Sequence, residues 1–163
     1  MKRIVRSLLW AIFIIYCFVV IYMVFLSREF RTQYSHAYYF KHFTNFVPFK
    51  TILNYIAMYK NGYQALSIYN LLGNFVLFLP MGALLPCVFR GLNRFGRVVP
   101  CILVMVITIE VLQFVLRVGI IDVDDVIFNL IGAMLGYGII KIPFLNRLMR
   151  KISFIDEGDN KAL

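Results

Sequence analysis

Four long apolar runs divide the chain: Leu8 to Leu26, Leu71 to Phe89, Val98 to Leu116 and Val126 to Ile140. At about 1.5 Å of rise per residue, a helix of about 20 residues crosses the hydrocarbon core of a bilayer. A backbone in lipid must close its own hydrogen bonds, so each run predicts a helix. The predicted helices lie at about residues 5–27, 68–90, 97–117 and 124–142. The expected fold is an all-α membrane protein with four transmembrane helices in a single domain over residues 1–152. A polar cytoplasmic tail, residues 153–163, is expected to follow it. The first run follows Lys2, Arg3 and Arg6, as the core of a signal peptide would. It is longer than such a core, and no small-residue cleavage site follows, so it reads as a retained helix.

Composition supports this picture. Of 163 residues, 61% are hydrophobic, and the mean hydropathy is +0.80, whereas a soluble domain is about half apolar. The formal net charge of +9 would point to nucleic acid in a soluble protein. Here the basic residues flank apolar runs, which points to lipid headgroups and membrane topology and against nucleic acid.

With the N-terminus taken as cytoplasmic, the inner side carries Lys2, Arg3, Arg6, Arg90, Arg94, Arg97, Lys141, Arg147, Arg150, Lys151 and Lys161. The outer side carries Arg28, Arg31, Lys41, Lys50, Lys60 and Arg117. The excess of Lys and Arg predicts both termini inside. It also leaves one long external loop, residues 27–69, between the first two spans. Loops of that length are uncommon without a function. Its stretch Thr51 to Tyr59 is expected to form a short interfacial helix, acting either as a lipid-resting connector or as a cap over a site. Cys17, Cys87 and Cys101 lie in apolar runs and read as buried thiols. His36 and His42 match no helical metal pair. Neither a metal nor a cofactor is implied.

Polar groups inside membrane segments are the informative exceptions. Glu110, Gln113 and Arg117 share one face of the third helix, with Glu110 about 10 Å deeper than Arg117. Asp125, Asn129, Gly132 and Gly136 share a face of the fourth helix, which opens with Asp122 and Asp124. Asn70, Asn74 and Phe78 share a face of the second. All three stripes fall in the predicted outer halves of their helices. Two accounts stay open. Glu110 could pair with Arg117 while the asparagines hydrogen-bond between helices, or the residues could line a polar cavity open to the outside. Gly132 and Gly136 form a GxxxG pattern expected at a close helix contact, a role that Gly73 and Gly82 could share. Pro80 and Pro86 interrupt the second helix.

The ordered set Asn45-Phe46-Val47-Pro48-Phe49, then Asn70, Asn74, Phe78, Pro80 and Gly82, then Glu110, Gln113 and Arg117, then Asp122, Asp124, Asp125, Asn129, Gly132 and Gly136 resembles the VanZ family. The resemblance covers residues 1 to about 145. It implies a multi-pass protein of the bacterial plasma membrane, associated with low-level resistance to teicoplanin, a glycopeptide with a lipid tail. The family also bears a phosphotransbutyrylase label. This chain has neither a phosphate-binding glycine loop nor an acyl-transfer constellation to support it. The family pattern often has a serine four residues before the glutamate, whereas here the nearest hydroxyl is Thr108.

Three functional readings follow. The first is a non-enzymatic protein that binds a lipoglycopeptide or a lipid-linked wall precursor at the outer leaflet. Its binding residues would be Asn70, Asn74, Glu110, Gln113, Arg117, Asp122, Asp124, Asp125 and Asn129. The second is an intramembrane enzyme acting on a lipid or wall precursor, with Glu110, Asp122 and Asp125 as catalytic candidates. In that reading these carboxylates could alternatively hold a divalent cation. The third is a transporter, disfavoured by the lack of an internal repeat. Membrane lipids are the expected partners, and a homo-oligomer is left open.

Overall fold

A computed structural model describes residues 2–152, without the side chains of residues 2, 64, 66, 67, 69–71, 90 and 150–152. The tail expected at 153–163 lies outside the described residues. The order is α1 (Lys2–Ile21) continuing into a π-helical turn (Tyr22–Leu26), α2 (His36–His42), β1 (Thr44–Asn45), α3 (Lys50–Lys60), α4 (Gln64–Val88), a 3-10 turn (Arg90–Leu92), α5 (Phe95–Leu116), β2 (Ile121–Asp122), α6 (Val123–Lys141) and α7 (Pro143–Ile152). Among the described residues, three helical stretches are long and apolar enough to cross a membrane: Arg3–Leu26, Phe95–Leu116 and Val123–Lys141. Leu72–Val88 of α4 is a shorter apolar stretch. The protein is a mainly helical membrane protein.

The seam between α4 and α6 organises the bundle. A Cβ on Gly132 would stand 2.2 Å from the Phe75 carbonyl oxygen, one on Gly136 1.9 Å from that of Leu79, and one on Gly82 1.7 Å from that of Ala133. Glycine is required at all three positions because backbone meets backbone. Phe75 opposite Gly132 and Leu79 opposite Gly136 advance together, so the two helices run in the same direction. Gly73 does not join the seam, and a Cβ there would meet open space. Around the seam lie the buried Phe78, Met81, Leu85, Ala133 and Tyr137, joined by Val98, Ile102 and Val106 of α5 and by Val20 and Val24 at the end of the first span. Pro80 has no N–H for the Val76 carbonyl, and beside that gap the Tyr16 hydroxyl donates to the Leu77 carbonyl at 2.6 Å. At the far end, Tyr137 and Lys141 donate to the Asn93 carbonyl at 2.8 and 2.7 Å, tying the α4–α5 turn to α6.

The segment after the first span is more structured than a loop. Besides the expected helix, now α3, it contains α2 and β1, which pairs in parallel with β2 through Thr44–Ile121 and Asn45–Asp122. The short ladder satisfies buried backbone groups that helices cannot reach. The helix α7, not anticipated from the sequence, follows α6 after Pro143 starts a new helix at a position that needs no N–H donor.

The seam makes a stability prediction. Overpacking a tight contact costs about 1–3 kcal/mol or more. Gly136→Val should therefore lower the melting temperature of the purified protein in detergent, and Gly138→Ala, where a Cβ meets nothing within 4 Å, should leave it unchanged. Equal melting temperatures for the two variants would refute the seam.

Candidate functional site

The polar residues gather at the end of the bundle that carries α2 and α3, and they divide into two groups with different work. The first holds the α2–α3 segment down. Asp122 is the N-cap of α6, accepting from the Asp124 N–H at 2.9 Å. The same carboxylate accepts from the Asn45 amide at 3.1 Å and from the Thr51 hydroxyl. Asp124, almost fully buried, accepts from the backbone N–H groups of Phe49 at 2.6 Å, Thr51 at 3.0 Å and Ile52 at 3.4 Å. It therefore caps α3 from a different helix, supplying the acceptor that the N-cap residue Phe49 lacks. Phe49 has a φ of 65°, a left-handed conformation unfavourable for a bulky residue. Its bond to Asp124 holds it there.

Arg117 belongs to the same work. It ends α5 in the left-handed region with φ 53°, where its own N–H and that of Val118 close the last helical carbonyls. Its guanidinium donates to the carbonyls of Thr32 and Tyr34. It is turned away from the pairing with Glu110 that helical spacing allowed, because the turn beside it presents the carbonyl groups of Thr32 and Tyr34. Fully buried Tyr39 reinforces the strap through its hydroxyl, which lies 3.0 and 3.1 Å from the carbonyls of Val118 and Gly119. Burial pushes its phenol up in pKa, with Arg31 opposing.

The second group surrounds a partly open cavity of about 610 Å³. Its apolar wall is Met23, Ile68, Leu72, Val76 and Leu77; its polar end is Ser27, Arg28, Tyr55, Asn74 and Asp125. Asn74 accepts from the Arg28 guanidinium at 3.3 Å and lines the cavity together with Asp125. Arg28 and Asp125 do not close into an ion pair, whereas Arg31 pairs with Glu29 at 3.0 Å. Tyr55 descends from α3 into this field. Burial raises its phenol pKa, the carboxylates of Asp125 and Asp122 add to that, and Arg28 opposes it.

Glu110 belongs to the buried face of α5. It is 8% exposed, and its Oε2 has no hydrogen-bond partner. Asn129 is likewise buried, with an unpartnered Oδ1. Gln113 donates instead to the Val24 carbonyl at 3.1 Å, inside the π-helical turn, a geometry that leaves carbonyls displaced from their usual donors. The Asn70 side chain lies outside the described residues. Thr108 bonds back to the Val104 carbonyl on an exposed face. Among the described residues no group of three His, Cys, Asp or Glu side chains is arranged to hold a metal ion.

Thus Asn74 and Asp125 line one cavity and Glu110 is buried with an unpartnered oxygen, whereas Gln113, Arg117, Asp122 and Asp124 are committed elsewhere. Sequence reasoning missed Arg28 and Tyr55. Arg28 was visible only as a charge following the first apolar run, and Tyr55 only as one aromatic among many in the loop.

The model of the VanZ/LLP1 family matches residues 13–146. The chain belongs to the VanZ/LLP1 family. A curated relative, Protein VanZ of Enterococcus faecium, is 28% identical over 103 residues, covering 52% of this chain and 63% of that protein. The chain thus spans less than two thirds of that relative's length. No solved structure matches. The family match takes in every residue of both polar groups, from Arg28 to Asn129.

The two groups are separable by experiment. Removing the acceptor of three backbone donors should free α3, so Asp124→Ala should speed hydrogen exchange at Phe49, Thr51 and Ile52 by at least about tenfold. Asp125→Asn should leave that exchange unchanged. Exchange accelerated equally in both variants would show that the groups are not distinct.

Proposed function

We propose that this VanZ/LLP1 family member is a multi-pass protein of the bacterial plasma membrane that binds a lipid-linked ligand at the outer leaflet. Binding there reduces susceptibility to lipid-tailed glycopeptides such as teicoplanin. In this reading α4 is a fourth span, both termini are cytoplasmic, and the strap of α2, β1 and α3 lies outside. The Lys and Arg distribution supports that orientation. The observation that carries the reading is the cavity: one apolar wall suited to an acyl chain, running into a polar end of Arg28, Asn74, Asp125 and Tyr55. Such a combination suits an amphiphile at the level of the headgroups. The strap limits access from water, and the apolar wall favours entry from lipid.

A second reading, an intramembrane enzyme acting on a lipid or wall precursor, is favoured by two carboxyl groups not committed to the α2–α3 segment, Asp125 in the cavity and buried Glu110 with its unpartnered Oε2. The committed hydrogen bonds of Asp122 narrow the acid/base pair to those two. Incubating the purified protein with labelled lipid intermediates tests it, since turnover lost in both Glu110→Gln and Asp125→Asn is its signature.

The binding reading predicts drug susceptibility. Gly73 lines the cavity and has open space before it, so Gly73→Leu should fill the cavity without disturbing the fold. At equal expression, Gly73→Leu and Arg28→Gln should return teicoplanin susceptibility to that of cells without the gene, while Gly138→Ala should protect as the wild type does. Full protection by both cavity variants would overturn the reading. Reporter fusions at residue 152 and in the turn after α3 should report opposite sides of the membrane.

A further inference from the structure

We infer that the polar end of the cavity is built for a zwitterionic headgroup, a phosphate together with a free ammonium, carried on an acyl-chain lipid. The inference rests on the proposed lipid-binding cavity and adds the chemistry of what enters it. Three observations carry it. First, the cavity lining includes one cation, Arg28, and one carboxylate, Asp125. Second, these two charges do not neutralise each other directly. Arg28 donates instead to the Asn74 amide oxygen at 3.3 Å. Each charge thus keeps capacity for a partner of opposite sign. Third, the remaining polar side chains that line this end, Ser27 and Tyr55, carry uncharged hydroxyls. The cavity lining therefore offers one guanidinium and one carboxyl group.

That balance discriminates among headgroups. A phosphate alone would meet the Arg28 fork but would bring a second negative group beside Asp125, and like charges at low dielectric repel strongly. An ammonium alone would leave Arg28 unmatched. A head carrying both sets its phosphate on Arg28 with charge-assisted hydrogen bonds. Its ammonium then meets Asp125. The hydroxyls of Tyr55 and Ser27, which also line this end, can serve the phosphate oxygens. The acyl chain follows Met23, Leu72, Val76 and Leu77. The ammonium must be able to donate, since Asp125 is a hydrogen-bond acceptor as well as a charge. A trimethylated head of the same charge therefore fits less well.

Native mass spectrometry of the purified full-length protein tests this with three lipids of identical chains: phosphatidylethanolamine, phosphatidylcholine and phosphatidylglycerol. The wild type should retain phosphatidylethanolamine at least about fivefold better than either other lipid, the size expected of one charge-assisted hydrogen bond. Asp125→Asn should abolish that preference, and Arg28→Gln should weaken retention of all three lipids. Gly73→Leu, which keeps both charges, should lose the selective retention and leave only unselective lipid. Equal retention of the three lipids by the wild type, or an ethanolamine preference that survives in Gly73→Leu, overturns the inference. Equal retention combined with lost teicoplanin protection in Gly73→Leu overturns the headgroup assignment alone; intact protection in both Gly73→Leu and Arg28→Gln overturns the cavity reading as well.

Discussion

The backbone contact between α4 and α6 is the constraint on which the rest of the structure depends. Lipid supplies no hydrophobic force between helices, so their association relies on close packing. Gly82, Gly132 and Gly136 remove the side chains that would keep the helix axes apart, and carbonyl oxygens fill the space. One consequence is a fixed register between two parallel helices. That register sets Asn74 of α4 and Asp125 of α6 on one cavity. A glycine that is absent from the seam, Gly73, leaves the space where the cavity opens.

The acidic residues at the start of α6 show how one short sequence can serve two purposes. Asp122 and Asp124 face the strap and have their oxygens occupied by Asn45, Thr51, Phe49 and Ile52. Asp125, one residue further, faces α4 and the cavity, because successive helical positions are rotated by about 100°. The strap is thereby held over the same end of the bundle where Arg28 and Asp125 meet the cavity. Tyr55 joins the two purposes: it belongs to the helix that Asp124 caps and lines the cavity that Asp125 lines.

Much of this architecture was legible in the chain itself. The apolar runs marked the helices, since a lipid-facing helix needs side chains that are apolar on nearly all sides. The spacing of Gly132 and Gly136 marked the close contact, and the 51–59 stretch marked α3. The candidate site was legible only in part. Helical periodicity places Glu110, Gln113 and Arg117 on one face, but it does not say what that face meets. Gln113 meets a π-helical carbonyl, and Arg117 meets the strap. Arg28 and Tyr55 carried no periodic signal at all.

The sequence by itself determined what local rules govern: which segments are apolar enough to be helices in lipid, where glycine permits close approach, and which family the ordered motifs resemble. The tertiary structure decided what depends on partners distant along the chain. Asp122 and Asp124 became anchors because Asn45, Thr51 and the first amides of α3 came within their reach. Arg28, 46 residues from Asn74, became part of the site because the first span packs beside α4. A hydrogen bond or an uncompensated charge is a property of a neighbourhood, and only the folded chain supplies one.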